Sequence, residues 1–327
     1  LLVQTKTNVI PAEGGVFREG ILGQPTYVNP VLASSEIDKS LVRLLFTNLP
    51  SLAETIERDE SGRVVKVHLK DNLYWSDGER LTSDDVVFTV EQIQNPDTRS
   101  PLFATWQGVT ANRGSQLEVI FNLVSPYAFF SDNLSDLYIL PKHLFAEVPV
   151  ANWRLSDFNL RPVGSGPYVF KEYEKRDDGF ILAYHLVQNP RYAKDAALVP
   201  QFDFIFVSRE EDLLRNFMTG RTDAFLSVDP SLLDQVSRPH MVHAFSSPTV
   251  YSIFFNQSQN LALQSKEVRE ALSWVAPRER LVKEVLRGYG AQAAGPIPPA
   301  LPFIPISITS SSHSQNEAIA LLEKNGW

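Results

Sequence analysis

The chain has no cysteine, two methionines and six histidines among its 327 residues. Without thiols there is no disulfide framework, no thiolate metal site and no cysteine nucleophile. The lack of thiols leaves the compartment open, because a protein of an oxidising space can avoid thiol chemistry by having none. No apolar run approaches transmembrane length, and no signal peptide opens the chain. The start, "LLVQTKTNVIPAEGG", is polar and broken by Pro and Gly. It reads as a linker entering a folded domain, as would remain once a leader or anchor is removed. Basic charge is also scarce: 30 Lys and Arg stand against 38 Asp and Glu, for a net charge of −8. With no basic tract to neutralise phosphates, a nucleic-acid partner is disfavoured.

What is present is an ordinary globular balance, 43% hydrophobic and 21% charged, with 20 Phe, 10 Tyr and 5 Trp. The length suits two domains, or one with insertions. Residues 15–22 read as an opening strand and 23–30 as a turn with two prolines. Ile37, Leu41, Leu44 and Leu45 give helical spacing over 36–46. Residues 64–69 and 116–123 read as strands. Thr82 with Asp85 makes a capping-box pattern ahead of the stripe Val86, Val90, Ile93. Residues 125–145 read as a short helix, a strand and a second short helix. A Gly-rich loop at 162–167 leads into a hairpin reaching residue 187. A strand at 202–207, a helix capped by Ser208 and Glu211 and ended by Gly220, and a strand at 222–228 make a β-α-β unit. Residues 249–257 read as a strand and 265–275 as a helix. Another helix starts at Pro277 and ends at Gly288. Residues 290–305 form a Pro-rich crossing, and Ser314 with Glu317 caps a last helix.

The motifs favour shape over chemistry. Asp77-Gly78 is a turn signal, and Asp84 and Asp85 suit a first helical turn. With Glu79 these carboxylates lack the spacing of a calcium loop. Trp75 reads as a packing anchor. His240 and His243 have no third ligand nearby and read as a solvated loop pair. "GSG" at 164–166 lacks the G-x-S-x-G of a nucleophile elbow. "GYGAQAAG" at 288–295 fails the dinucleotide spacing and follows a helix. No catalytic constellation is assembled, so the reading is a non-enzyme with no cofactor and no metal.

Several stretches together resemble the family 5 extracellular solute-binding proteins, the peptide receptors of ABC importers. They are "GGVFREGILGQPTYVNP", "LAETIERDESGRVVKVHLKDNLYWSDGERLTSDDVVFTVEQI", "PVGSGPYVFKEY", "LLRNFMTGRTDAFL", the block from Asn256 to Pro299, and "NEAIALLEKNGW". The likeness runs from about Gly14 to the final residue. "TNLPS" after Phe46 is shorter than the family's usual connection, and Ala276-Pro277 replaces an acidic cap. The resemblance also implies a second lobe that continues beyond the residues here.

The implied fold is α/β: a two-lobed clamshell like the type II (cluster C) periplasmic binding proteins, with an inserted subdomain and an incomplete second lobe. Residues 1–33 and 163–247 would form lobe I, 34–162 the insert, and 248–327 the start of lobe II. The implied function is an extracytoplasmic receptor, acting as a monomer and joined to the membrane only through a removed anchor. It would capture oligopeptides between the lobes and deliver them to the permease of an ABC importer. Glu19, Gly20 and Ile21 would line the cleft from the first strand. Tyr251, Phe254 and Asn256 would do so from the strand entering lobe II, and Trp106 would wall the pocket. Phe254 and Trp106 could equally be core. Alternatives on the same fold are a receptor for a nickel chelate, heme or an oligosaccharide; others are a hydrolase or a truncated interaction module.

Overall fold

The computed structural model describes residues 12–194, 197–227, 229–245, 249–293, 295 and 314–327. They form two compact units, Leu1–Leu226 and Ser227–Trp327. The division falls ahead of the expected boundary at 247/248.

The first unit opens with β1 (Val16–Leu22), then α1 (Glu36–Leu45) and the single turn α2 (Leu49–Leu52). β2 (Ala53–Arg58) and β3 (Val64–Leu69) follow, then α3 (Ser83–Gln94) and α4 (Phe103–Trp106). β4 (Val109–Ser115), β5 (Glu118–Leu123), α5 (Phe130–Ser135) and α6 (Lys142–Phe145) complete the middle of the chain. β6 (Tyr168–Lys175), β7 (Ile181–Gln188), β8 (Gln201–Val207), α7 (Glu210–Met218) and β9 (Ala224–Phe225) end the unit. One sheet has the order β6-β7-β8-β1-β9 and the other β2-β3-β5-β4. β1 runs parallel to β8 and β9, with Val16 opposite Gln201 and Leu22 opposite Val207. One apolar core joins both sheets, from Val28 through Trp75 and Phe121 to Phe206.

Buried polar anchors fix the loops. Asp38 takes backbone N–H bonds from Thr26 (2.7 Å) and Tyr27 (3.0 Å) and a hydroxyl bond from Ser35 (2.7 Å). One charged acceptor thus pins the proline turn to the start of α1. The Thr82–Asp85 capping box is present. Asp85 also accepts the Lys142 N–H at 3.0 Å, so the box holds α6 as well. Asp77 accepts from the Glu79 N–H and pairs with His143 at 2.8 Å. The carboxylates around residue 80 therefore act as turn, cap and brace. The 164–166 loop packs onto the end of α1. Gly166 donates to Leu45 O (2.9 Å), and a Cβ on Gly164 would overlap that same carbonyl. Ser165 is buried between them and receives the Thr47 N–H at 3.2 Å. "TNLPS" is a compact turn in which Asn48 caps α2 and donates to Ser135 O at 2.8 Å.

Several expected elements differ. β2 and β4 were not anticipated, because both are edge strands exposed at most positions and so show little alternation. Between α5 and α6 there is no strand. Leu137 and Ile139 instead bond to Leu49 and Thr47, and Tyr138 makes a single bridge with Asn48. The buried apolar run mimics a strand in sequence. α7 starts after Arg209, with no side-chain cap from Ser208; Gly220 does end it, at φ +73°. The strand expected over 222–228 is only β9, two residues long.

In the second unit, residues 249–257 form no strand. α8 (Lys266–Val275) is capped by Ser265, and α9 (Arg278–Arg280) leads into a π-helical turn over Leu281–Val285. The Pro-rich crossing lies largely outside the described residues. α10 (Gln315–Lys324) carries the Ser314–Glu317 capping box. It packs on α8, where buried Ala271 and Ala318 let two helices approach closely.

Two predictions follow from the anchors. Gly164→Ala forces a methyl into the Leu45 carbonyl and costs about 1–3 kcal/mol in urea denaturation; unchanged stability contradicts the seam. Burial pushes the Asp85 carboxyl above its ordinary range, against its hydrogen bonds. The folded state therefore holds that proton more tightly than the unfolded chain. The resulting stabilisation is full below the unfolded value and is lost as pH rises through the folded one. Melts between about pH 4 and 7 should show wild type losing stability relative to Asp85→Asn as pH rises.

Candidate functional site

The sheet containing β1 has an incomplete edge. β9 pairs only Glu19 and Gly20 of β1. The Asp223 N–H bonds to Arg18 O at 2.8 Å on the β9 side, and Gly23 N–H bonds to Val207 O at 2.8 Å on the β8 side. Backbone groups alternate along a strand, so those of Leu22 face the β9 side, past the point where β9 ends. The Leu22 N–H has no partner among the described residues. Leu22 and Leu226, 42% and 62% exposed, flank this opening. It is an unpaired edge at the carboxyl end of a parallel strand, where open α/β sheets place ligands.

Side chains position the edge. A Cβ on Gly20 would lie 3.3 Å from Leu213 of α7 and 3.4 Å from the Phe225 Cβ. Glycine here lets α7 and β9 close onto β1, so its role is packing. Glu19 and Ile21 point to the opposite face by strand alternation. Ile21 packs against the core. Glu19 is half-buried, burial pushes its carboxyl above the ordinary range, and no hydrogen bond satisfies it among the described residues. Asp223 latches β9 to β1 by accepting the Arg18 N–H at 2.9 Å. Gln24 accepts the Ile181 N–H at 2.8 Å and fixes the turn after β1.

The other expected residues are each placed within their own unit. Trp106 is 1% exposed and packs against Phe121 and Phe130, with ring centroids 6.2 and 5.9 Å away. It is a core anchor of the β2–β5 half, so the expectation that it walls a pocket gives way to packing. Tyr251 and Phe254 belong to the second unit, outside any strand, and are 86% and 91% exposed. Asn256 accepts from the Ser258 N–H (3.1 Å) and hydroxyl (2.8 Å), the bonding of a turn residue. Sequence reasoning missed Leu22, although the Gly23 turn directly after it marks where β1 must end.

Among the described residues, no cluster of three or more His, Asp or Glu could hold a metal ion. No helix among them is long and apolar enough to cross a membrane. His240 and His243 are exposed.

The solved ABC transporter substrate binding protein CtaP from Listeria monocytogenes has a similar fold, with a TM-score of 0.80 at 26% identity. That likeness covers 96% of this chain and 66% of the other. The oligopeptide-binding protein AppA from Bacillus subtilis, solved with a nonapeptide, gives a TM-score of 0.74 at 24% identity over 97% of this chain and 65% of that one. The fold is thus the α/β fold of the two-lobed type II periplasmic binding proteins. Residues 48–327 match the family model for bacterial extracellular solute-binding proteins, family 5 (middle region), and the chain belongs to that family. In sequence it is 26% identical to Bacillus subtilis AppA, over 97% of this chain and 60% of the relative. The chain therefore spans under two thirds of the length of these relatives.

Proposed function

We propose that the protein is an extracytoplasmic receptor that captures oligopeptides and delivers them to the permease of an ABC importer, without transforming them. Family membership over residues 48–327 carries the reading, supported by sequence likeness to an oligopeptide-binding protein. The open β1 edge supplies a physical basis. An extended peptide adds to such an edge through main-chain hydrogen bonds, which carry no side-chain information and so tolerate varied sequences. The Leu22 backbone offers that pairing. Glu19, an unsatisfied half-buried carboxylate, would gain from a cationic or N–H-bearing group brought beside it. Gly20 and Ile21 would shape the strand beneath. Tyr251, Phe254 and Asn256 would contribute from the second lobe.

In this reading 1–33 and 163–247 form lobe I, 34–162 its insert, and 248 onward lobe II. The separation of β2–β5 from the β6-β7-β8-β1-β9 sheet agrees with such an insertion. The receptor would work as a monomer outside the cytoplasm.

Mass spectrometry of small molecules released on denaturing the purified protein tests this. Intact peptides of mixed sequence and narrow length range are expected. A single non-peptide solute, or cleaved products accumulating from an added peptide, overturns it.

A further inference from the structure

On the β8 side of β1, at the carboxyl end of β8, a cavity of about 240 Å³ opens beside α7. Its apolar side is formed by Phe180, Leu182, Ile205 and Val207, and its polar side by Ser208, Asp212, Arg215, Asn216, Arg176 and Arg221. We infer that this cavity binds a small amphipathic carboxylate, with the carboxylate on Arg221 and Arg215 and its apolar body against Phe180 and Ile205.

The charge pairing points to an anion. Three arginines line the cavity, against one carboxylate. Arg176 is held by Asp178 through bonds of 2.6 and 3.0 Å and lies over the Phe180 ring at 5.1 Å. Asp212 is shared by two cations, Arg215 at 2.6 Å and Arg209 at 3.1 Å. Of the other nearby carboxylates, Asp178 is taken by Arg176 and Glu211 acts on Arg209. Arg221 has no carboxylate partner among the described residues. Its backbone N–H bonds to Asn216 O at 2.8 Å, which fixes where the guanidinium starts. The side chains of Ser208 and Asn216 also have no hydrogen-bond partner there. A free guanidinium fork, a half-engaged one, a hydroxyl and an amide therefore converge beside an apolar wall. A planar carboxylate matches such forks bidentately.

Size selects the ligand class. The volume lies below the roughly 300–1,000 Å³ of drug-sized ligand sites, so an amino-acid-sized acid fits and a folded partner does not. The carboxylate can come from a free organic acid or from the carboxyl terminus of a short peptide. The inference does not depend on the peptide-receptor reading, since the cavity and the β1 edge use different residues.

Calorimetry on the protein with N-acetyl-leucine, N-acetyl-leucinamide and the tripeptide Ala-Ala-Leu tests the assignment. N-acetyl-leucine should bind with a dissociation constant on the order of 1 mM or tighter, and the amide at least about tenfold more weakly. Arg221→Gln should weaken the acid about tenfold with an unchanged melting temperature, because Arg221 is exposed and unpaired. Arg221-dependent binding of the tripeptide identifies a peptide terminus as a source; its absence leaves free acids. Equal affinity for acid and amide, no binding of the acid at 10-fold above about 1 mM, or an unaltered Arg221→Gln variant overturns the site.

Discussion

The parallel pairing of β1 with β8 is the constraint on which the first unit depends. It joins residues 16–22 to 201–207, with the whole second sheet lying between them in sequence. Closing so long a loop is costly, though the cost grows slowly with length. Local devices shorten the effective loop. Asp38 locks the turn after β1, the Gly164–Gly166 loop seats on the end of α1, and Asp85 ties α3 to α6. Each is a carboxyl or backbone acceptor, and the last two tie together stretches far apart in the chain. Buried Phe204 and Phe206 then fasten β8 to the common core.

The same pairing creates the open edge. β8 satisfies one side of β1 along its full length, while β9 satisfies two residues of the other. The strand is rigid because of β8 and available because β9 is short. Gly20 suits this, since a Cβ there would meet Leu213 of α7 at 3.3 Å and the Phe225 Cβ of β9 at 3.4 Å. A held strand with free backbone groups needs no rearrangement to accept another strand, which lowers the ordering cost of binding.

Much of this was legible in sequence where a local rule decides the outcome. β1, β3, β5, α1 and the capped helices α3, α8 and α10 announce themselves by alternation, helical spacing or cap residues. Of the blocks resembling the solute-binding family, those at 14–30, 52–93, 162–173 and 213–226 carry β1, β2, β3, β9 and most of β6. Edge strands β2 and β4 escaped because exposure at most positions leaves little alternation, and Leu137–Leu140 imitated a strand because burial alone makes an apolar run. Trp106 shows why a pocket residue is hard to read: an aromatic in sequence is the same symbol in a core or a cleft. Leu22 escaped for a different reason. Its candidate role lies in the backbone, and only the length of a neighbouring strand reveals it.

Hydrogen–deuterium exchange at the Leu22 amide, with and without a bound oligopeptide, tests the central claim most directly. The account predicts that the amide exchanges freely in the empty protein and becomes protected when peptide binds. Peptide binding that leaves Leu22 and the rest of β1 unchanged would contradict it.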